Sequence, residues 1–176
     1  MDKIDLKDKT LLEIYKMVLS GELEKFPYGI WKGEEVKYEC KKIIRYFIEE
    51  VLQCKREEIP IKVTYSEFKR YKLTGMLQHV FDHSPYEAIN FAYPGEFKRW
   101  EFGNFSRHNW NRSLAAEAMQ WLIEEKLKIS YDEALRTLTE STIYEYGLGY
   151  IFEKFHNRDI KRAVLDAQSK AQKIVS

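Results

Sequence analysis

Apolar residues recur at helical spacing along most of the chain. Leu11, Ile14, Val18 and Leu19 fall on one stripe, with a capping box predicted at Thr10 and Glu13 and a stop at Gly21. Ile43, Ile44, Phe47, Ile48, Val51 and Leu52 make the next stripe, and Leu114, Ala118, Trp121, Leu122 and Leu127 another. Ser84-Pro-Tyr-Glu87 places Ser at an N-cap, Pro at the first helical position and Glu three residues after the cap. That helix is expected to pack through Ile89, Phe91 and Ala92 and to end at Pro94-Gly95. The helix before it, Leu73 to about Asp82, leaves only a short turn, so the two form a helix-turn-helix-like corner. Ser130-Tyr-Asp-Glu133 is read as a second capping box, opening a short helix through Leu138. IKVTY at 61–65 is the one weak strand candidate, and the fold class expected is mainly α.

The pattern also repeats. YFIEEVL at 46–52 matches WLIEEKL at 121–127, an offset of 75. Upstream, FPYGIW ends at Trp31 and FSRHNW at Trp110, an offset of 79. Downstream, 73–93 lies over 147–167 at an offset of 74, so that Gly75 meets Gly149, Phe81 meets Phe155, and Ala88-Ile89 meets Arg162-Ala163. The organisation expected is an N-terminal helix (1–25), a first helical repeat unit (26–102) and a second, diverged unit with a C-terminal helix (103–176). Each unit carries a helix-turn-helix-like corner, and Phe97, Trp100 and Phe102 are expected to clamp the link between the two.

The stretch FPYGIW…IRYFIEEVL…LTGMLQHVFDHSPYEAINFAYPGEFKRWEF resembles an uncharacterised repeat family of Gram-positive bacteria and their phages. The likeness covers about 26–102, and 103–167 more loosely, where SPYEAIN and AYPG become NRDIKRA and LDA. It brings no activity with it. More distantly, the corner resembles helical repeats that accompany homing endonucleases, and this likeness implies a helix pair that contacts DNA.

Composition narrows the classes. Hydrophobic residues are 44% and aromatics 15% of 176 residues, enough for a real core despite 32% charged residues. No apolar run approaches a membrane span, the N-terminus does not read as a signal peptide, and two cysteines make no disulfide framework. A cytoplasmic protein is expected. Lys plus Arg number 29 against 28 acids, so binding to nucleic acid would have to rest on a local patch.

No catalytic signature emerges: the sequence has no phosphate-binding glycine loop, nucleophile elbow or metal-ligand series, so no enzyme, cofactor or metal is expected. His79 and His83 are four apart, but His83 precedes the Ser84 cap and falls outside regular helix. Cys40 and Cys54 align with Ala115 and Ile129 and read as small core hydrophobes. Glu49-Glu50 and Glu124-Glu125 diverge by about 100° on a helix and read as a solvated face, paired with Arg45 or Lys128. The basic residues are the functional candidates. Lys69, Arg70 and Lys72 lead into one corner and Lys98 and Arg99 follow it, while Lys154, Arg158, Lys161 and Arg162 surround the other. They are expected to hold phosphates of double-stranded DNA, with Gln78 and His79 facing base edges. The rival expectation is a module that docks on a host protein through Tyr28, Trp31, Trp100, Phe102, Phe105 and Trp110.

Overall fold

The computed structural model describes residues 5–103 and 105–175, and the chain divides into two compact units, Met1–Asn104 and Phe105–Ser176. In the first, α1 (Leu11–Ser20) opens on the reciprocal cap. Thr10 Oγ1 accepts from the Glu13 N–H at 3.2 Å, and the Glu13 carboxylate accepts from the Thr10 N–H at 3.1 Å. The helix ends at Gly21, whose φ of 84° suits a residue without a Cβ. α2 (Val36–Tyr46) runs directly into a π-helical turn, Phe47–Val51, where the Leu52 N–H reaches back five residues to the Phe47 carbonyl at 2.9 Å. Four shorter helices follow: α3 (Ile59–Lys62), α4 (Tyr65–Arg70), α5 (Thr74–Val80) and α6 (Pro85–Ala92).

α1 and α6 pack on α2 around the fully buried Tyr15, Ile43, Phe47, Ile48, Phe68, Leu77 and Ile89. Their removal from water drives the assembly of helices too short to persist alone. Phe97 and Phe102 also lie in this core, edge to face at 6.4 Å. No strand occurs among the described residues. IKVTY straddles the end of α3 and the start of α4, because Pro60 suits a first helical turn and Thr64 caps the next helix.

The second unit comprises α7 (Arg112–Trp121), continued by a π-helical turn at Leu122–Leu127, then α8 (Tyr131–Thr137), α9 (Glu140–Glu145), α10 (Gly149–Phe155) and α11 (Ile160–Val175). α11 lies against α7 and α8. No helix among the described residues is long and apolar enough to cross a membrane.

One backbone plan recurs at a constant spacing. Gln53, Lys72, Asp82 and His83 have positive φ, and so do Lys128, Gly147, Asn157 and Arg158, each 75 positions on. The His83 N–H bonds to the Leu77 carbonyl at 2.9 Å, and the Arg158 N–H to the Phe152 carbonyl at 2.9 Å. The offset of 74 expected at the corner is therefore corrected to 75. Phe81 corresponds to His156, and the fully buried Ala88, Ile89 and Ala92 correspond to the equally buried Ala163, Val164 and Ala167. Matching Gly75 to Gly149 draws the sequence register one residue short, and burial decides against it.

Two further expectations change. Ser84 accepts from the Glu87 N–H at 3.2 Å, but the Glu87 carboxylate turns to Arg99 at 2.7 Å, so this cap is one-sided. The Ser130 cap is one-sided as well. Glu49 does not pair with Arg45. It accepts from the Tyr93 hydroxyl at 2.9 Å, while Arg45 donates through Nε and Nη2 to the Ala92 carbonyl at 3.0 and 2.9 Å. Glu124 accepts from Tyr131 and Gln120 rather than Lys128, each at 3.0 Å.

Candidate nucleic-acid interface

The α4–α5 corner begins with a cap. Thr64 Oγ1 accepts from the Glu67 N–H at 3.4 Å, and α4 ends where Lys72 turns left-handed at φ 67°. The Leu73 N–H then closes on the Phe68 carbonyl at 2.8 Å, burying Leu73 and leaving Lys69, Arg70 and Lys72 exposed. Arg70 is 3.8 Å from Glu67, an exposed pair that leaves its guanidinium available. Along α5, Gln78 and His79 are exposed and Gly75 faces inward. A Cβ at Gly75 would come within 3.2 Å of the Trp31 Nε1, so glycine lets the indole lie close against the helix.

Trp31 belongs to a segment that composition alone does not single out. In KFPYGIWK, Lys25 to Lys32, the Ile30 N–H bonds to the Pro27 carbonyl at 3.3 Å, and Gly29 takes φ 76°. This turn carries Tyr28 at its tip with its surface 100% exposed, while Phe26 and Trp31 meet at 4.8 Å beneath it. The result is a cleft of about 330 Å³ in which His79 joins Lys25, Lys32, Phe26, Tyr28 and Trp31. Lys32 Nζ lies 5.5 Å from the Tyr28 ring, and no carboxylate lines the cleft among the described residues. Of the residues read from the sequence as a nucleic-acid site, His79 alone enters this cleft, and Tyr28 and Trp31, read there as a protein-docking surface, line it too. The findable signal for Lys25, Phe26 and Lys32 was a Pro-x-Gly turn between Lys-Phe and Trp-Lys.

The remaining basic candidates are less available. Arg99 Nη2 is 2.7 Å from Glu87 and its guanidinium lies 4.9 Å over Tyr86, while Lys98 is half-buried. In the second unit Arg158 Nε donates to Glu140 at 2.8 Å, which raises its already high pKa further. Arg162 Nε sits 4.0 Å from Asp166, whereas Lys154 and Lys161 are exposed. A separate cleft of about 410 Å³ in this unit, missed by the sequence reading, brings Arg112, Ser113, Lys170 and Lys173 near Asp166 and His156. Lys170 Nζ donates to Ser113 Oγ at 2.5 Å. His156 is buried, its Nδ1 is 2.9 Å from Asp166, and its Nε2 has no hydrogen-bond partner.

The other titratable candidates are placed as follows. His79 and His83 are separated by the left-handed break at Asp82 and His83, and no group of three or more His, Cys, Asp or Glu among the described residues is placed to hold a metal. Burial pushes the Cys40 thiol up to about 12 and suppresses its nucleophilic form. Cys54 is only half-buried, so it fills the core less completely than expected.

Residues 11–98, half of the chain, match the model of a family described as "Protein of unknown function (DUF4046)". The match spans α1 to α6 and none of the second unit. No curated protein and no solved structure matches the chain.

Proposed function

The chain belongs to the DUF4046 family, whose description assigns no activity, and from its surface chemistry we propose a non-enzymatic nucleic-acid-binding protein that holds duplex DNA in a regulatory or accessory role. The observation that carries this reading is the charge along α5. Lys69, Arg70 and Lys72 lie exposed at one end, and His79 joins Lys25 and Lys32 in a carboxylate-free cleft at the other. Lysine and arginine at such a surface neutralise phosphates and release counterions, giving affinity that falls with salt. Gln78 and His79 are free to meet base edges. The near-zero net charge of +1 confines the attraction to this patch. The test is anisotropy with labelled random-sequence duplex at rising salt. Replacing Arg70 and Lys72 together with Ala is expected to weaken binding and to reduce the log–log salt slope by about 1.8, from roughly 0.9 per lost phosphate contact. Unchanged binding by the folded double variant would sink the assignment.

A second reading, a protein-docking module, is favoured by a different observation. Ile61 is 75% exposed beside Tyr65 and Phe102 in an apolar groove of about 400 Å³. Pull-down with Ile61→Asp as the control distinguishes it.

A further inference from the structure

We propose that the cleft beside Tyr28 takes a single unstacked nucleobase, so that the protein favours single-stranded or locally opened DNA over continuous duplex. The proposal rests on the nucleic-acid reading above and names its ligand more closely.

Four observations converge. The cleft, about 330 Å³, is large enough for a base with part of its sugar. Its walls are aromatic: Trp31 and Phe26 are held at 4.8 Å, and Tyr28 stands fully exposed at the turn tip with Lys32 Nζ 5.5 Å over its ring. Its charged residues are the cations Lys25 and Lys32, with His79 beside them, so an aromatic ligand joined to phosphate is complementary where a neutral one is not. The geometry is also set before any ligand arrives. Gly75 admits the Trp31 indole against α5, and the Pro27–Ile30 turn fixes the site of Tyr28.

A continuous duplex keeps both faces of each base covered by its neighbours, so it offers phosphates and groove edges but no ring face. Stacking on Tyr28 and Trp31 needs a base that has left the stack. Phosphate contacts from Lys69, Arg70 and Lys72 do not depend on that, and the two contributions are therefore separable by ligand.

Three labelled probes at one low salt concentration test this: an oligothymidine of about a dozen nucleotides, an intact duplex of that length, and the same duplex with a short central gap. The single strand and the gapped duplex are expected to bind about 10-fold more tightly than the intact duplex, the range of one stacked base. Tyr28→Ala is expected to abolish this preference and leave intact-duplex binding unchanged, and since Tyr28 is fully exposed the variant keeps the fold. Gly75→Val, which displaces the indole, is expected to act in the same direction. Equal affinity for all three probes, or a preference that survives Tyr28→Ala, overturns the proposal while leaving salt-dependent duplex binding intact. No binding to any probe overturns both readings.

Discussion

α6 stops after eight residues at Ala92, whereas α11, which starts 75 positions after it, runs sixteen residues to Val175. Both helices bury the same small-residue face, so burial does not set the difference. In unit 1, Arg45 grips the Ala92 carbonyl with two N–H groups, and Pro94-Gly95 follows. In unit 2 the matching positions are Gln120, Ser169 and Lys170, and Gln120 turns to Glu124 instead. An occupied terminal carbonyl and an imino acid end one helix, and their absence lets the other continue. The clip behind these helices changes too. Phe81 and Phe91, with ring centroids 5.8 Å apart, become His156 and Asp166 at 2.9 Å. One backbone plan therefore accepts either an apolar or a hydrogen-bonded pair between the corner and the last helix.

Exchanging residues between the units tests this account. The largest effect is expected from Ser169→Pro, which carries the Pro94 stop into α11 and should cost about 3 kcal/mol, seen as lost helicity and a lower denaturant midpoint. Arg45→Gln should cost about 1.5–3 kcal/mol, the range for hydrogen bonds to a charged group, and should fray α6 in hydrogen exchange. An α6 that stays unfrayed, with no change in midpoint, would show that the stop resides in Pro94-Gly95 alone. Asp166→Ala should cost about 1 kcal/mol, because its carboxylate is partly exposed, whereas the double exchange His156→Phe with Asp166→Phe should be neutral or stabilising. A double variant less stable than Asp166→Ala would break the equivalence of the two clips.

The smallest effect concerns Cys40, whose counterpart is Ala115. Cys40→Ala should cost about 1 kcal/mol or less at neutral pH. The folded thiol holds its proton up to about 12, while the unfolded one loses it from the ordinary thiol value of 9.0. Stability is thus complete below pH 9 and falls as pH rises from there. The variant should flatten that fall, most visibly between pH 9 and the onset of tyrosine ionisation near 10, above which Tyr15, Tyr93 and Tyr131 add losses of the same sign. Chemical denaturation at several pH values measures it.

Local signals carried most of the fold. Thr10 and Glu13, Ser84 and Pro85, and the apolar stripe from Ile43 to Leu52 each act within one or two turns, so sequence displays them. The π-helical turns were invisible because their extra residue leaves the stripe apolar. Glu49 and Tyr93, 44 residues apart, and Arg45 and Ala92, 47 apart, meet only through packing. At the site, charge counts found Lys69, Arg70 and Lys72. They could not reveal that Arg99 and Arg158 face carboxylates, or that His79 shares a cleft with Tyr28.

Lys72 sits at φ 67° where the second unit has Gly147 at φ 76°. A lysine in that basin is disfavoured by about 1 kcal/mol against glycine. The position therefore sets backbone comfort against a surface cation, and laboratory evolution can weigh the two. A library selected only for heat resistance should accumulate Lys72→Gly, whereas one selected for ligand capture should retain the lysine.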